Sequence, residues 1–343
     1  MSGRKVAVAL SGGIDSAVSA ALLLKQGYQV FGVTMHLAES ATSSPIDASR
    51  NIARKLGIHH HVFDFSALFE KRVISPFCQQ YAAGKTPNPC VICNHELKFG
   101  SLLDSVKKLG AEYLATGHYA RIKTKGQTDV LCKAFDKAKD QTYFLYTLKH
   151  DILSSLLFPV GDLLKKDVVQ LASELSIPVS SDGESHDICF MTGSNYRELL
   201  NRCVKTTPGK VYDVSGNEIG SHAGISNYTI GQRQGLNFGQ QEKLYVTDID
   251  IYNNSITVGP ASSLEKCVLV AGDINWISGC FPHDTKDITA KIRYGAKEIP
   301  VTLKTDGDLL NVTFSSPVKA VAPGQSVVFY SGDEVLGGGI IRY

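Results

Sequence analysis

The sequence lacks the features that would assign its 343 residues to a membrane-spanning, secreted or disulfide-stabilised class. Its longest largely apolar stretch, Ala17–Leu24, is far too short to cross a bilayer. Arg4-Lys5 is followed by only five apolar residues, fewer than a secretory signal requires. The eight cysteines are few and irregularly spaced, so we expect reduced thiols in a cytoplasmic protein rather than a disulfide framework.

An excess of either charge is also missing. Lys and Arg number 35 against 33 Asp and Glu, which gives a net charge of +2. The first 203 residues hold 23 basic and 19 acidic side chains, and the remainder holds 12 and 14. Neither part has the basic excess typical of a nucleic-acid-binding protein, so composition alone favours an enzyme that acts on small molecules.

The first 200 residues alternate between strand-like and helix-like patterns. The apolar run Val6–Leu10 enters a glycine turn, and helical spacing follows over residues 16–26 until Gly27. The patterns predict further strands at 28–35, 60–65 and 112–116, and helices at 47–56 and 96–109. Such alternation predicts an α/β fold with a doubly wound parallel sheet.

Beyond Cys203 the pattern changes to short β-rich runs separated by Gly, Asn and Asp, including one at residues 289–294. Regular turns between short strands are typical of small β-barrels. We therefore predict a catalytic domain at residues 1–203, a small central β-rich domain at 204–265 and a C-terminal β-barrel at 266–343.

The hexapeptide from Ser11 to Ser16 lies between the first strand and the first helix. Its two glycines allow a tight turn with exposed N–H groups, and the helix N-terminus favours an anion. Asp15 fits a metal ion that accompanies a polyphosphate, whereas the simpler alternative is a glycine turn with a helix cap. The hexapeptide resembles the loop of the N-type ATP pyrophosphatases, which cleave ATP between its α- and β-phosphates to adenylate a substrate oxygen.

Two cysteines, Cys90 and Cys93, follow a proline-rich approach and precede a predicted helix. A helix N-terminus lowers the pKa of a thiol and makes it a better nucleophile. No second C-x-x-C exists in the chain to complete a structural zinc site, so no bound metal is predicted there. Cys189 stands 96 residues after Cys93, and its neighbours alone indicate a structural cysteine.

Short motifs also occur along nearly the whole chain. They are Pro87-Asn88-Pro89, Cys93-Asn94, Lys98-Phe99, Ala115-Thr116-Gly117-His118-Tyr119, Lys139-Asp140-Gln141, Tyr143-Phe144-Leu145, Ile188-Cys189-Phe190, Tyr228-Thr229-Ile230-Gly231-Gln232-Arg233, Pro323-Gly324-Gln325 and Gly337-Gly338-Gly339-Ile340. Together with the hexapeptide at residues 11–16, this set resembles the tRNA-specific 2-thiouridylase family. The motifs occur in the family's order, which makes the set far more specific than any one member.

The resemblance implies a monomeric enzyme that adenylates the C2 oxygen of uridine 34 in a tRNA anticodon and replaces that oxygen with sulfur. ATP and Mg²⁺ are the implied cofactors. The implied partners are tRNAs for Lys, Glu and Gln and a persulfide donor, either a cysteine desulfurase or a relay protein. Cys189 would carry the persulfide and Cys93 would be the nucleophile, and the two could close as a disulfide after turnover.

The resemblance also assigns binding roles by matching positions. ATP binding falls on Ala9, Leu10, Ser11, Gly12, Gly13, Ile14, Asp15, Ser16, Met35 and Gly117. The target base falls on Asn88, Pro89 and Cys90, and tRNA contacts fall on His118, Lys139, Asp140, Gln141, Arg293, Tyr294 and Gln325.

One position departs from the family pattern, because many members have an acidic residue where this chain has Cys90. A thiol differs from a carboxylate in acidity and hydrogen bonding, and here it forms a C-x-x-C pair with Cys93. Three other functions stay open: an iron–sulfur tRNA thiolase that uses Cys90, Cys93 and Cys189, an amide- or argininosuccinate-forming ligase that shares the ATP loop, and a tRNA-binding module with a decayed ATP site.

Overall fold

The computed structural model describes residues 3–37, 45–177, 199–200, 203–204, 206–236, 243–283 and 285–343. Cys189 lies outside these ranges. None of the helices within them combines the length and apolar character needed to span a bilayer.

A five-stranded parallel sheet forms the first half of the protein. Its strands lie in the order β3-β2-β1-β4-β7 and are β1 (Lys5–Ala9), β2 (Gln29–His36), β3 (His60–Asp64), β4 (Tyr113–Ala115) and β7 (Leu156–Leu157). Because β1 is central and covered on both faces, Val6, Ala7 and Val8 are all fully buried. The predicted parallel α/β sheet is confirmed.

Helices connect the strands of this sheet and follow the last of them. They are α1 (Ile14–Lys25), α2 (Pro45–Leu56), α3 (Ser66–Phe69), α4 (Ser75–Ala82), α5 (Pro89–Cys93), α6 (Leu103–Lys108), α7 (His150–Leu153) and α8 (Lys165–Glu174). Two π-helical segments, Glu70–Ile74 and Asn94–Leu102, join α3 to α4 and α5 to α6. The helix predicted at 96–109 is therefore the later part of a helical run that begins at Pro89.

A small four-stranded sheet follows in the order β10-β11-β8-β9. Its strands are β8 (Gly209–Asp213), β9 (Glu218–His222), β10 (Tyr245–Asp250) and β11 (Ser255–Gly259). The fully buried side chains Val211, Val246, Ile256 and Val258 form its core.

The last part of the chain forms a closed six-stranded β-barrel. Its strands are β12 (Glu265–Trp276), β13 (Ile288–Lys291), β14 (Ile299–Asp306), β15 (Leu309–Lys319), β16 (Ser326–Ser331) and β17 (Glu334–Ile341), and pairing of β12 with β17 closes the ring. The strand predicted at 289–294 is wrong at its end. β13 stops at Lys291, and Arg293 and Tyr294 lie in the following turn, where the Ala296 N–H bonds back to the Arg293 carbonyl.

A hairpin that the sequence patterns did not predict links the two halves. Strands β5 (Ala120–Lys125) and β6 (Thr128–Lys133) leave the parallel sheet, and β6 pairs with β17 at the edge of the barrel. Glu334 of β17 lies opposite Cys132 of β6, so the barrel sheet extends into a segment that is far away in the sequence.

Paired charges are buried where this hairpin meets the barrel. The Lys133 Nζ lies 2.6 Å from the Glu298 Oε1 and 4.5 Å from the centre of the Tyr330 ring. Burial alone would raise the pKa of the Glu298 carboxyl, but hydrogen bonds from Lys133 and Thr289 outweigh burial and lower it below its usual range. Lys291 lies between Asp140 (3.9 Å) and Glu298 (3.7 Å) and extends the cluster.

Lys133→Met is expected to lower the free energy of unfolding by about 3 kcal/mol, because it removes one partner of a buried ion pair. Lys210→Met is the matched control, since Lys210 forms a similarly short but solvent-exposed pair with Glu218 (2.7 Å), and the loss of an exposed pair should hardly change the free energy of unfolding. Urea unfolding of both variants measures the difference, and equal destabilisation would contradict the importance of the buried cluster.

Candidate functional site

The loop that follows β1 is held in a tight turn by its own hydroxyls. The Ser16 Oγ donates to the Gly13 carbonyl (3.0 Å) and accepts from the Ser11 N–H (3.2 Å). Gly12 has a φ of +84°, and a Cβ there would lie 2.9 Å from the Ala48 Cβ. Glycine is therefore required both by the backbone conformation and by the approach of α2.

The Asp15 carboxylate is bound by two side chains from distant parts of the chain. The Lys165 Nζ lies 2.7 and 2.9 Å from its two oxygens, and the Tyr119 hydroxyl donates to one of them at 2.9 Å. Lys165 is the first residue of α8 and its side chain is mostly buried. Sequence reasoning missed Lys165, because nothing in its local pattern indicates a partner 150 positions earlier.

Gly117 and Met35, which were matched to ATP binding, occupy different surroundings. A Cβ on Gly117 would lie 2.7 Å from the Ser16 N, so the backbone after β4 lies directly against the start of α1. Met35, in β2, is partly buried against the hydrophobic cluster that includes Cys93. Met35 therefore packs in the same apolar cluster as Cys93, and Gly117 lies against the loop.

The Cys90–Cys93 segment forms the first turns of a helical run. The Asn88 Oδ1 accepts from the Cys90 N–H at 3.2 Å, and Pro89 begins α5. Cys90 is half-buried, whereas Cys93 is buried at the point where α5 passes into the π-helical segment. In the described part of the chain no three His, Cys, Asp or Glu side chains are placed to hold a metal ion.

The Lys139-Asp140-Gln141 segment bonds mainly to the protein itself. The Asp140 carboxylate is buried and accepts from the Ala134 N–H (2.9 Å) and the Thr142 hydroxyl (2.7 Å). The Gln141 Oε1 accepts from the Tyr119 N–H (2.9 Å), which ties this segment to the residue that binds Asp15. Lys139 is half-buried.

The predicted contact residues of the barrel lie beside the same segments. Arg293 and Tyr294 are exposed, and the Tyr294 ring lies 4.7 Å from the Phe144 ring. The Asn94 side chain donates to the Phe144 carbonyl at 3.1 Å, so Tyr294 is linked to the helix that carries Cys93. The Gln325 Nε2 donates to the Thr86 carbonyl at 2.9 Å.

His118 lies in an apolar setting between these groups. Its Nδ1 is 2.7 Å from the Thr116 Oγ1, and its ring lies near the rings of Phe99 (5.7 Å) and Phe158 (6.1 Å). Burial, with a smaller contribution from the Lys98 charge, lowers the pKa of His118 well below its usual value. The imidazole is therefore neutral at pH 7.

His118 is expected to make the fold less stable in mild acid. Because its pKa is lower in the folded state than in the unfolded chain, the unfolded state binds more protons once the pH falls below about 6.5. In the wild-type protein this protonation lowers the free energy of unfolding by at most about 1.4 kcal/mol per pH unit in that range. His118→Gln should abolish this part of the pH dependence. Urea unfolding at pH 7.5 and 5.5 tests this, with the exposed His150→Gln as control. Equal pH slopes in all three proteins would contradict it.

Known proteins and family models match almost the whole chain. Family models match residues 4–193 (tRNA methyl transferase HUP domain), 197–260 (tRNA methyl transferase PRC-barrel domain) and 266–341 (aminomethyltransferase beta-barrel domain). The curated tRNA-specific 2-thiouridylase MnmA of Dehalococcoides mccartyi is 43% identical over 98% of this chain and 97% of its own length. MnmA 1 of Syntrophus aciditrophicus is 42% identical over 99% and 93%.

Among solved structures, the U34-tRNA thiolase NcsA of Methanococcus maripaludis with its 4Fe-4S cluster aligns at 20% identity and a TM-score of 0.37. That alignment covers 59% of this chain and 66% of the other, too distant a similarity to inform function. The curated relatives, in contrast, match at over 40% identity along almost their full length. The chain belongs to the tRNA-specific 2-thiouridylase family.

Proposed function

We propose that the protein is a tRNA-uridine 2-sulfurtransferase that converts uridine 34 of the anticodon to 2-thiouridine, using ATP and a cysteine persulfide. The observation that carries this proposal is the convergence of segments far apart in sequence. Direct contacts join Gly117 to Ser16, Tyr119 to Asp15, Gln141 to Tyr119, Phe144 to Asn94 and Gln325 to Thr86. A nucleotide loop, a cysteine helix and exposed Arg and Tyr side chains thus form one continuous region.

ATP is needed because the C2 oxygen of uracil is a poor leaving group. In the proposed first step this oxygen attacks the α-phosphorus of ATP, the bond to the β-phosphate bridge breaks, and pyrophosphate leaves. The N–H groups of the Gly12-Gly13 turn and of the start of α1 would bind the phosphates of ATP, because the N-terminus of a helix attracts anions. Gly117 lets the backbone after β4 lie directly against Ser16, which supports the conformation of the loop.

The charged groups at the loop suit a Mg²⁺–polyphosphate. Mg²⁺ in such sites takes one or two carboxylates and completes its shell with phosphate oxygens and water. Asp15 is a carboxylate at the loop, and its Lys165 partner is a cation within reach of the same anion site. Mg²⁺ would supply charge neutralisation for the departing pyrophosphate, and Asp15 would hold it while Lys165 keeps that carboxylate oriented.

Sulfur transfer would complete the reaction. The terminal sulfur of a Cys189 persulfide attacks C2, and AMP leaves with the original oxygen. The Cys93 thiolate then attacks the Cys189 Sγ, the sulfur–sulfur bond to the base breaks, and its electron pair stays on the 2-thiouridine. The product is a Cys93–Cys189 disulfide, which a dithiol reductant returns to two thiols before the donor reloads Cys189.

The tRNA would be held by local contacts rather than by overall charge. Arg and Tyr bind and stack on unpaired bases, and the exposed Arg293 and Tyr294 suit an anticodon loop whose bases are splayed out. Lys139, which is half-buried next to Asp140 in the sequence, would add a cation. The proposed substrates are tRNAs for Lys, Glu and Gln, and the sulfur donor is a persulfide-bearing cysteine desulfurase or relay protein.

The deciding experiment supplies tRNA for Lys, ATP, Mg²⁺, a dithiol and a persulfidated donor to the anaerobically chelated protein. Nucleoside mass spectrometry should detect 2-thiouridine at position 34, with one AMP formed per thiouridine. Cys93→Ser and Cys189→Ala should each lower its rate by at least about a hundredfold. Both should still release pyrophosphate in a single turnover, because adenylation precedes sulfur transfer.

Cys267→Ser is the control, since Cys267 is exposed in the barrel and has no proposed role. Thiolation at the full rate in Cys189→Ala would contradict the sulfur mechanism. Activity that chelation abolishes and iron and sulfide restore would favour an iron–sulfur enzyme instead. ATP turnover without tRNA would favour a ligase, and absence of any AMP formation would leave only a tRNA-binding module.

A second prediction concerns the nucleotide loop. Gly117→Ala should weaken ATP binding by about tenfold or more, because the new methyl would meet the Ser16 N at 2.7 Å and displace the loop. Gly126→Ala, at the open tip of the β5–β6 hairpin, is the control. Calorimetric titration with ATP in the absence of tRNA measures both, and unchanged affinity in Gly117→Ala would contradict the placement of ATP at this loop.

A further inference from the structure

Thr86, the residue just before Pro87-Asn88-Pro89-Cys90, contacts all three parts of the chain. Its N–H donates to the Pro323 carbonyl at 2.8 Å, and its carbonyl accepts from the Gln325 Nε2 at 2.9 Å. Its hydroxyl lies 3.4 Å from the Thr229 hydroxyl, next to the small central sheet. The base-facing segment of the proposed function is thus anchored by residues from outside its own domain.

The segment that follows Thr86 can transmit a displacement. Pro87 and Pro89 fix their own φ angles and restrict the residue before each of them. The Asn88 side chain caps the Cys90 N–H at 3.2 Å, and α5 begins at Pro89. With so few free rotations, a shift at Thr86 moves Asn88 and Cys90 with it.

The barrel side of this contact is firmly held. The Gly324 N–H donates to the Ile341 carbonyl (2.9 Å), and the Ile341 N–H donates to the Gln325 carbonyl (2.8 Å). Gly324 has a φ of +92°, and a Cβ there would lie 3.0 Å from both the Thr86 N and the Lys85 Cβ. Only glycine permits this turn to approach Thr86 so closely.

The resemblance matches Gln325 to a tRNA contact, but its amide is committed within the protein. Its Nε2 bonds to the Thr86 carbonyl, and its Oε1 lies 3.5 Å from the Tyr143 hydroxyl. Tyr143 is itself buried and donates to the Ser326 carbonyl at 2.9 Å. The Gln325 side chain therefore connects a fixed part of the barrel to the start of the base-facing segment.

We propose that the Pro323–Gln325 turn of the barrel is a positioning element for the reaction, which sets Asn88 and Cys90 against the target uridine through its contacts with Thr86. This inference rests on the proposed function, and it gives the barrel a role in the chemical step as well as in holding tRNA. Residues of the turn act through Thr86 and are positioning residues rather than catalytic ones.

Gly324→Ala tests the proposal, with Gly279→Ala as the matched control. Gly279 has a similar φ of +84° in the same barrel, but a Cβ there would meet nothing within 4 Å. In protein free of tRNA and ATP, Gly324→Ala should raise the rate of Cys90 alkylation by iodoacetamide by at least about threefold, because the anchored segment loosens. In thiolation assays its kcat should fall by about tenfold or more with the KM for tRNA unchanged.

The possible results separate the proposal from its alternatives. If Gly324→Ala raises the KM for tRNA and leaves kcat unchanged, the turn serves to bind tRNA and the proposal is overturned. Unchanged Cys90 alkylation together with unchanged kcat would also overturn it. If the wild-type protein forms no 2-thiouridine, the proposed function fails, yet the alkylation rates still decide whether the turn positions the segment. Should Gly324→Ala not fold, Gln325→Ala removes the side-chain hydrogen bond to the Thr86 carbonyl without adding atoms, and the same alkylation measurement applies because no tRNA is present.

Discussion

Opposite charges buried between the β5–β6 hairpin and the barrel are the constraint on which the arrangement of the site depends. Lys133 and Asp140 are buried and therefore require partners of opposite charge. The docked barrel supplies Glu298 to Lys133 and Lys291 to Asp140. Such pairs contribute modestly to stability, since desolvation offsets much of the attraction. A different placement of the barrel would, however, leave a buried charge unpaired, which is strongly destabilising. Asp140 lies inside the Lys139–Gln141 segment, and Lys291 lies two residues before Arg293. The Lys291–Asp140 pair therefore also places the Lys139–Gln141 segment close to the turn that carries Arg293.

A second set of contacts connects these segments to the nucleotide loop and to the segment before the cysteine helix. Gln141 bonds to the backbone of Tyr119, Tyr119 bonds to Asp15, and Asp15 is held by Lys165. On the other side of the site, Gln325 and Pro323 bond to Thr86. Asp140, Gln141 and Gln325, which the resemblance matches to tRNA contacts, thus bond within the protein. Arg293 and Tyr294, in contrast, are exposed.

The sequence patterns predicted the parallel sheet well, because β1 is buried on both faces and reads as a continuous apolar run. They missed the β5–β6 hairpin, whose polar tip resembles a loop until the barrel supplies a pairing partner. They also carried the strand before Arg293 three residues too far, since β-forming residues continue past the point where pairing stops at Lys291. Strand ends are decided by the partner strand, which local composition does not describe.

The sequence by itself determined the classes of chemistry: the glycine turn after β1, the paired cysteines after two prolines, and the order of motifs that places the chain in its family. These are local, since a turn, a cap and a proline each act within a few residues. Only the tertiary structure decided that Lys165 neutralises Asp15, that Asp140 is buried, and that Thr86 is anchored by the barrel. Each of these joins residues far apart in the chain, and long-range pairing of buried polar groups follows from the packing of whole domains, which no short stretch of sequence encodes.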